Sequence, residues 1–196
     1  MDKHISYSFF AELQGQIAKE FSFLSKAVSD DVTRYFMNFI LVEQMFPDDP
    51  LRLRAVSTDG RRLHIVEPLS QSIESLLPGR YRVIKSTSKS VQIIRVSDET
   101  VSACGDFPNW QRVMPQGDVE ATVKFEGLYL SGPNLTSSSA KLFDFIRDFP
   151  DTTRINFKYL ADLPADVAWE AKYRGQGVAV EFVSTNMRAV IMPMMA

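Results

Sequence analysis

The stretch AVSTDGRRLHIV, residues 55–66, constrains the fold more strongly than any other part of the sequence. On both sides of Asp59-Gly60, apolar residues alternate with other residues, which is the period of a β-strand. Aspartate and glycine both tolerate the positive φ that a two-residue hairpin turn requires. The stretch therefore predicts two antiparallel strands joined by a tight turn, with a pair of arginines directly after the turn.

A helical pattern precedes this hairpin. Its apolar residues lie three or four positions apart, which is typical of a helix that buries one side. They are Phe9, Leu13, Ile17, Phe21, Leu24 and Val28. We therefore predict a helix over residues 9–28 with Ser8 as its N-cap, followed by about three antiparallel strands. The β-branched residues between Tyr81 and Val96 favour strands, and a short helix in this region stays open.

The second half of the chain repeats this order of elements. The pattern predicts a strand from Ala121 to Leu130 and a helix from Ser137 to Phe149. Three further β regions follow, at Ile155–Tyr159, at Val167–Tyr173 and in a hairpin of Val178–Phe182 with Met187–Met192. A helix followed by antiparallel strands, found twice, indicates an α+β fold.

Composition excludes several classes of protein. The formal net charge is -2 and the sequence pI is about 5.7, so the chain lacks the overall basic charge of many nucleic-acid binders. The single cysteine, Cys104, forms neither an internal disulfide nor a cysteine-based metal site, which indicates a reducing compartment. We read no secretory signal and no apolar segment long enough to span a bilayer, so a cytoplasmic protein is expected.

Few residues could support catalysis. The two histidines are His4 and His64, and His64 lies near Arg62 on a predicted strand, where we expect a rim residue rather than a base. Asp30-Asp31 and Asp48-Asp49 lack the ligand spacing of a calcium or magnesium site. The sequence contains no glycine-rich phosphate loop. We therefore expect a protein that is not an enzyme and that holds no metal or cofactor.

Four stretches together resemble the bacterial DNA polymerase III beta sliding clamp family. STDGRRLHIV is similar to the Thr-Asp-Gly-His-Arg-Leu hairpin of its middle domain, and DDVTRYFMNFILVE to the Asp-Val-Arg-Tyr-Tyr-Leu-Asn-Gly strand before it. FPNWQRVMP looks like the Phe-Pro-Asp-Tyr-(Arg)-Arg-Val-Leu-Pro connector between the middle and last domains. AVIMPMMA resembles the C-terminal Tyr-Val-Val-Met-Pro-Met-Arg-Leu. All four occur in the family's order, which makes the joint match much stronger than any single one.

The resemblance implies a DNA-clamp-like α+β fold, with residues 1–116 similar to the middle domain and 117–196 to a shortened last domain. It also implies a hydrophobic groove for linear peptides of DNA polymerases and other replication or repair proteins. Position by position, the groove residues would be Met37, Thr58, Gly60, Arg62, Leu63, Pro108, Arg112, Val113, Val190, Met192, Pro193 and Met194. Methionine and leucine adapt to varied apolar anchors, and Arg62 and Arg112 can pair with peptide carbonyls or acids at the rim.

The chain departs from the family in length and at single positions. The family's first domain has no counterpart, Arg61 replaces the hairpin histidine, and Met195-Ala196 replaces a final Arg-Leu. Two functions stay open. The chain is either a ring-forming homo-oligomer that tethers partners to double-stranded DNA, or an adaptor or competitor that binds peptides or another clamp without encircling DNA. Candidate DNA-facing residues on the predicted helices are Lys19, Lys26, Lys141 and Arg147, and acidic neighbours offset their charge.

Overall fold

Antiparallel strands carry most of the structure. The computed structural model describes residues 7–31, 33–70, 76–126, 137–148 and 154–194. These residues belong to two units: the first holds the chain up to Gly60 and His64–Asn109, and the second holds Arg61–Leu63 and the chain from Trp110 onward. The predicted α+β class is confirmed by the helices and antiparallel strands of both units.

The first unit contains six strands and two α-helices among its described residues, with the strand order β1-β6-β5-β2-β3-β4. Their bounds are β1 Tyr7–Gln14, α1 Gly15–Ser25, β2 Ile40–Phe46, β3 Asp49–Thr58, β4 Arg62–Val66, β5 Gly79–Ser86, β6 Ser90–Val96 and α2 Asp98–Cys104. The first two residues of β4 belong to the second unit. The predicted hairpin at Asp59-Gly60 is confirmed by β3 and β4, and Gly60 has the positive φ, 83°, that the turn requires.

Helix α1 packs its apolar side on the sheet of the first unit. The ring of Phe21 meets the buried ring of Tyr81 edge to face, with 6.3 Å between centroids. The hydroxyl of Ser57 on β3 donates to the carbonyl oxygen of Leu24, which satisfies a helix-end carbonyl inside the core. Glu20 is also buried, and its carboxylate accepts from the backbone N–H and the hydroxyl of Ser70. Hydrogen bonding therefore allows a charged residue of α1 to face inward.

The predicted helix over residues 9–28 is wrong in its first part. Residues up to Gln14 form β1, which pairs with β6, and Ser8 is not the N-cap. Phe9, Ala11 and Leu13 also alternate, so the same residues satisfy a strand period. Helix α1 begins only at Gly15, whose φ of 65° separates it from the strand. Residues 9–14 fit both a helical and a strand pattern, and pairing with β6 makes them a strand.

The region from Tyr81 to Val96, where a helix stayed open, lies within β5 and β6 apart from the turn between them. Helix α2 follows, and its N-cap Ser97 accepts a hydrogen bond from the backbone N–H of Thr100. Cys104 is the last residue of α2 and is half-buried.

The second unit has four described strands in the order β10-β9-β8-β7. Its elements are a 3₁₀ helix at Trp110–Val113, β7 Ala121–Glu126, α3 Ser137–Arg147, a 3₁₀ helix at Phe157–Asp162, β8 Ala168–Tyr173, β9 Val180–Val183 and β10 Met187–Ile191. Phe125 and Phe182 meet edge to face in its core, at 6.3 Å between ring centroids. The predicted hairpin of β9 and β10 is confirmed. The ends of two predicted elements, 127–130 and Phe149, lie outside the described residues.

The strand predicted at Ile155–Tyr159 is wrong, because a 3₁₀ helix begins at Phe157. The side chain of Asn156 accepts a hydrogen bond from the backbone N–H of Lys158, which caps the helix. Ile155 and Tyr159 are buried, as the alternating pattern required, but Phe157 between them is 46% exposed, so the backbone and part of the burial both differ from a strand. None of the described helices is long and apolar enough to cross a membrane.

Candidate functional site

Two backbone hydrogen bonds hold the C-terminal tail, Met192–Met194, inside the second unit. The N–H of Met192 donates to the carbonyl oxygen of Arg61 at 2.9 Å, and the N–H of Met194 donates to that of Arg154 at 2.7 Å. Between them, Pro193 has no N–H to offer. The tail therefore lies against the residue that follows the hairpin turn, as the resemblance implies.

Arg62, the first residue of β4, has two partners from the 3₁₀ helix Phe157–Asp162. Its guanidinium pairs with the carboxylate of Asp162, and its guanidinium carbon lies 4.4 Å from the ring centroid of Tyr159. The side chain of Arg62 is only 13% exposed and that of Asp162 14%. Arg62 thus has an internal carboxylate as a partner, where the resemblance had suggested peptide groups.

The connector contributes the other 3₁₀ helix of the second unit. Trp110 is buried there and anchors the segment, while Arg112 is exposed and Val113 is 38% exposed. An apolar side chain and a cation therefore stand at the surface on neighbouring positions.

The expected groove residues of the second unit differ in solvent exposure: some lie in the core and others at the surface. Leu63 and Val190 are almost completely buried, so they can support a binding surface from beneath without contacting a ligand. The half-buried or exposed residues are Arg62, Arg112, Val113, Met192, Pro193 and Met194. Phe157 is 46% exposed, although the strand predicted for this segment would have turned it inward with Ile155 and Tyr159.

The remaining expected residues, Met37, Thr58, Gly60 and Pro108, belong to the first unit. The hydroxyl oxygen of Thr58 accepts from the N–H of Gly60 at 3.0 Å, which stiffens the turn. A Cβ on Gly60 would lie 3.2 Å from Nη1 of Arg34 and 3.8 Å from Cε of the buried Met37. Arg34 was not among the expected residues, although it lies in one of the four quoted stretches. Pro108 is half-buried.

No family model matches the sequence, and no curated protein matches it. Solved bacterial clamps do match in structure. Caulobacter crescentus DNA polymerase III beta gives a TM-score of 0.59 at 16% identity, covering 100% of this chain and 68% of its own. The Bartonella birtlesii sliding clamp, solved bound to griselimycin, gives 0.58 at 16%, covering 100% and 68%.

A third clamp, from Borrelia burgdorferi in complex with a natural product, gives a TM-score of 0.57 at 11% identity and covers 99% of this chain and 65% of its own. The chain has the sliding-clamp fold. The resemblance inferred from the four stretches is therefore confirmed for the fold. This clamp-fold chain spans about two thirds of the length of the clamps it matches.

The candidate DNA-facing residues of this clamp-fold chain, Lys19, Lys26, Lys141 and Arg147, are all exposed. Arg147 lies 2.9 Å from the carboxylate of Asp144 and 3.7 Å from that of Asp148. Its charge is therefore balanced by one carboxylate of α3 and one directly after the helix, which weakens it as a phosphate contact.

His64 is fully buried, so the expectation that it is a rim residue is wrong. Its ring stacks on that of Phe23 at 4.1 Å, and its Nδ1 lies 2.8 Å from the Phe23 carbonyl oxygen. Packing between β4 and α1 thus uses the histidine as part of the core. Within the described ranges, no group of three histidine, cysteine or acidic residues is placed to hold a metal ion.

Proposed function

We propose that this chain is a sliding-clamp-like protein that binds linear peptide segments of DNA replication and repair proteins. The observation that carries the proposal is the hydrogen bond from Met192 to Arg61, which joins the tail to the hairpin corner in a chain with the clamp fold. Trp110–Val113 belongs to the same unit as both segments. In this proposal residues 1–116 correspond to the middle clamp domain and residues 117–196 to a shortened last domain.

The surface chemistry of the second unit suits a peptide. Val113 and Met194 offer exposed apolar side chains, and the flexible thioether of methionine can adapt to different anchors. The exposed guanidinium of Arg112 can donate to peptide carbonyl or carboxylate groups. Leu63 supports this surface from the core. In support, the Bartonella birtlesii clamp was solved with griselimycin bound.

We propose further that copies of the chain assemble into a ring that tethers partners to DNA. Among the described strands, β1 pairs with β6 alone and β7 pairs with β8 alone, so each unit ends in a strand with one open side. Such edges can pair with another copy. Three copies of a two-unit chain would supply six units. A cytoplasmic location and a role without catalysis belong to the same proposal.

One observation favours the second function, an adaptor that binds peptides or another clamp without encircling DNA. Arg147 is already paired with Asp144 of α3, and in α1 the one exposed cation is Lys19, with Lys26 directly after the helix. The described helices therefore provide few cations for phosphates. In this alternative the same second-unit surface binds peptide, and no ring forms.

Binding and mass together test these functions. Labelled griselimycin and labelled linear clamp-binding peptides are titrated with the full chain, and light scattering measures its mass with and without circular DNA. Saturable binding of either probe supports the peptide site, and no binding of any probe at high micromolar concentration overturns it. A cyclic oligomer that stays on circular DNA indicates the ring, whereas a peptide-binding monomer indicates the adaptor.

A further inference from the structure

The 3₁₀ helix Phe157–Asp162 presents two side chains to Arg62. Residues three apart lie on the same side of a 3₁₀ helix, so Tyr159 and Asp162 face one direction. The ring of Tyr159 stacks under the guanidinium, and the carboxylate of Asp162 pairs with it. The positive charge of Arg62 is therefore balanced by a residue 100 positions away in the sequence and within the same unit.

Partial burial makes this pair more than a surface contact. With only 13% and 14% of the two side chains exposed, water screens the charges less than at an open surface. Loss of one partner would remove this carboxylate–guanidinium pair and change the charge around the other residue. An acidic group that approaches Arg62 meets a guanidinium whose charge the carboxylate of Asp162 already balances. The same carboxylate also repels the incoming acid.

We propose that Asp162 is a specificity-determining residue of the peptide site. By balancing the charge of Arg62, it makes this part of the second unit accept neutral and apolar peptide residues and reject acidic ones. The inference rests on the peptide-binding function proposed above. It gives Asp162 a positioning role as well, because the ion pair fixes the side chain of the residue next to Arg61, whose carbonyl holds the tail.

Paired peptides test the inference on the full chain. A labelled linear clamp-binding peptide is made in two series. Each position is changed in turn to Gln in one series and to Glu in the other. The two peptides changed at the same position form a pair, and they differ in charge but hardly in shape. The wild-type chain should bind the Gln member better at one or more positions. In Asp162→Asn this preference should fall by about fivefold or more, because the negative charge of Asp162 no longer opposes the added carboxylate at Arg62.

Two control variants and one further test variant complete the experiment. Asp166→Asn removes an exposed carboxylate four residues further on and should leave the Gln-to-Glu preference unchanged. Asp162→Glu keeps the charge and should keep the preference. Arg62→Gln leaves Asp162 without its cation and should strengthen the rejection of Glu. If Asp162→Asn does not fold, as thermal unfolding would show, the Arg62→Gln result decides alone.

The outcomes separate the inference from the function on which it rests. Peptides that bind with the same Gln-to-Glu preference in wild type, Asp162→Asn and Arg62→Gln overturn the role of Asp162 and leave the peptide site standing. A wild-type chain that binds neither the peptides nor griselimycin overturns both.

Discussion

Met192 and Arg61 are joined by a backbone hydrogen bond of 2.9 Å, from the N–H of the tail residue to the carbonyl oxygen of the residue after the hairpin turn. The two residues are far apart in the sequence and meet inside one unit. Because β10 ends at Ile191, this bond continues strand-like contacts into the tail. The tail therefore has a defined position from which Met194 presents its side chain at the surface.

The exposed side chain of Met194 should matter for binding and not for stability. Met194→Ala shortens a residue that is 46% exposed, so we expect the free energy of unfolding to change by no more than about 0.5 kcal/mol. Affinity for labelled griselimycin should fall by about fivefold. Leu51→Ala in the first unit removes a side chain that is 70% exposed and should leave affinity unchanged. Equal affinities in the two variants would count against a tail contact.

Substitutions at Val113 and at Leu63 should separate an effect on peptide affinity from an effect on the stability of the fold. Val113→Asp places a charge on a 38% exposed apolar position, so peptide affinity should fall by about tenfold or more with a nearly unchanged melting temperature. Leu63 is 1% exposed, and Leu63→Ala should instead reduce the free energy of unfolding by about 2–5 kcal/mol. Fluorescence anisotropy and urea denaturation measure the two effects. A stable Leu63→Ala chain that had lost peptide binding would show that Leu63 contacts ligand.

The local patterns predicted the hairpins well, because turn residues and period-two alternation act over a few residues. Asp59-Gly60 fixed one hairpin, and the alternation around Thr185 fixed that of β9 and β10. The boundary between β1 and α1 could not be predicted in this way, since Phe9 and Leu13 fit both a helix and a strand. Pairing of Leu13 with Val91 on β6, both buried, decided it.

The candidate site could be predicted as a set of segments and not as a surface. The sequence carries no sign that Leu63 is buried while Val113 is exposed, because both are apolar and burial depends on what packs over them. The ion pair of Arg62 with Asp162 could not be predicted either, since Asp162 follows a segment whose residues alternate as in a strand. Long-range contacts of this kind need the fold.

Glu181 on β9 should be a strong contributor to the stability of the second unit. It is 5% exposed, and its carboxylate lies 2.7 Å from the guanidinium of Arg174 and 3.3 Å from that of Arg188. Glu181→Gln leaves two cations without their common anion, so we expect a loss of about 3 kcal/mol. Glu170→Gln on β8 removes an ion pair of 3.5 Å from a side chain that is 30% exposed, and should cost less than about 1 kcal/mol.

Tryptophan fluorescence measures this loss selectively. Both tryptophans of the chain, Trp110 and Trp169, are buried in the second unit, so the change in their emission with urea follows the unfolding of that unit. Similar losses of unfolding free energy for Glu181→Gln and Glu170→Gln would mean that burial does not make the ion pairs of Glu181 more stabilising than a more exposed pair.

Ionisation of Tyr81 should make the free energy of unfolding of the first unit fall at alkaline pH. Burial raises the pKa of its phenol above the ordinary value of 10.0, against the smaller opposing effect of the Arg95 charge. The folded state thus favours the neutral phenol, whose O–H donates to the Leu77 carbonyl oxygen at 2.7 Å. Because the folded pKa is the higher one, this stabilisation is complete below pH 10.0 and is lost as the pH rises through the folded pKa.

Urea denaturation followed by circular dichroism between about pH 9 and pH 11 tests this expectation. The wild-type free energy of unfolding should fall more steeply over that range than that of Tyr81→Phe, which has no phenol to ionise. Tyr35→Phe, at a side chain that is 45% exposed, provides the matched control and should keep the wild-type slope. Parallel slopes for wild type and Tyr81→Phe would show that the phenol ionises as easily in the folded chain as in the unfolded one.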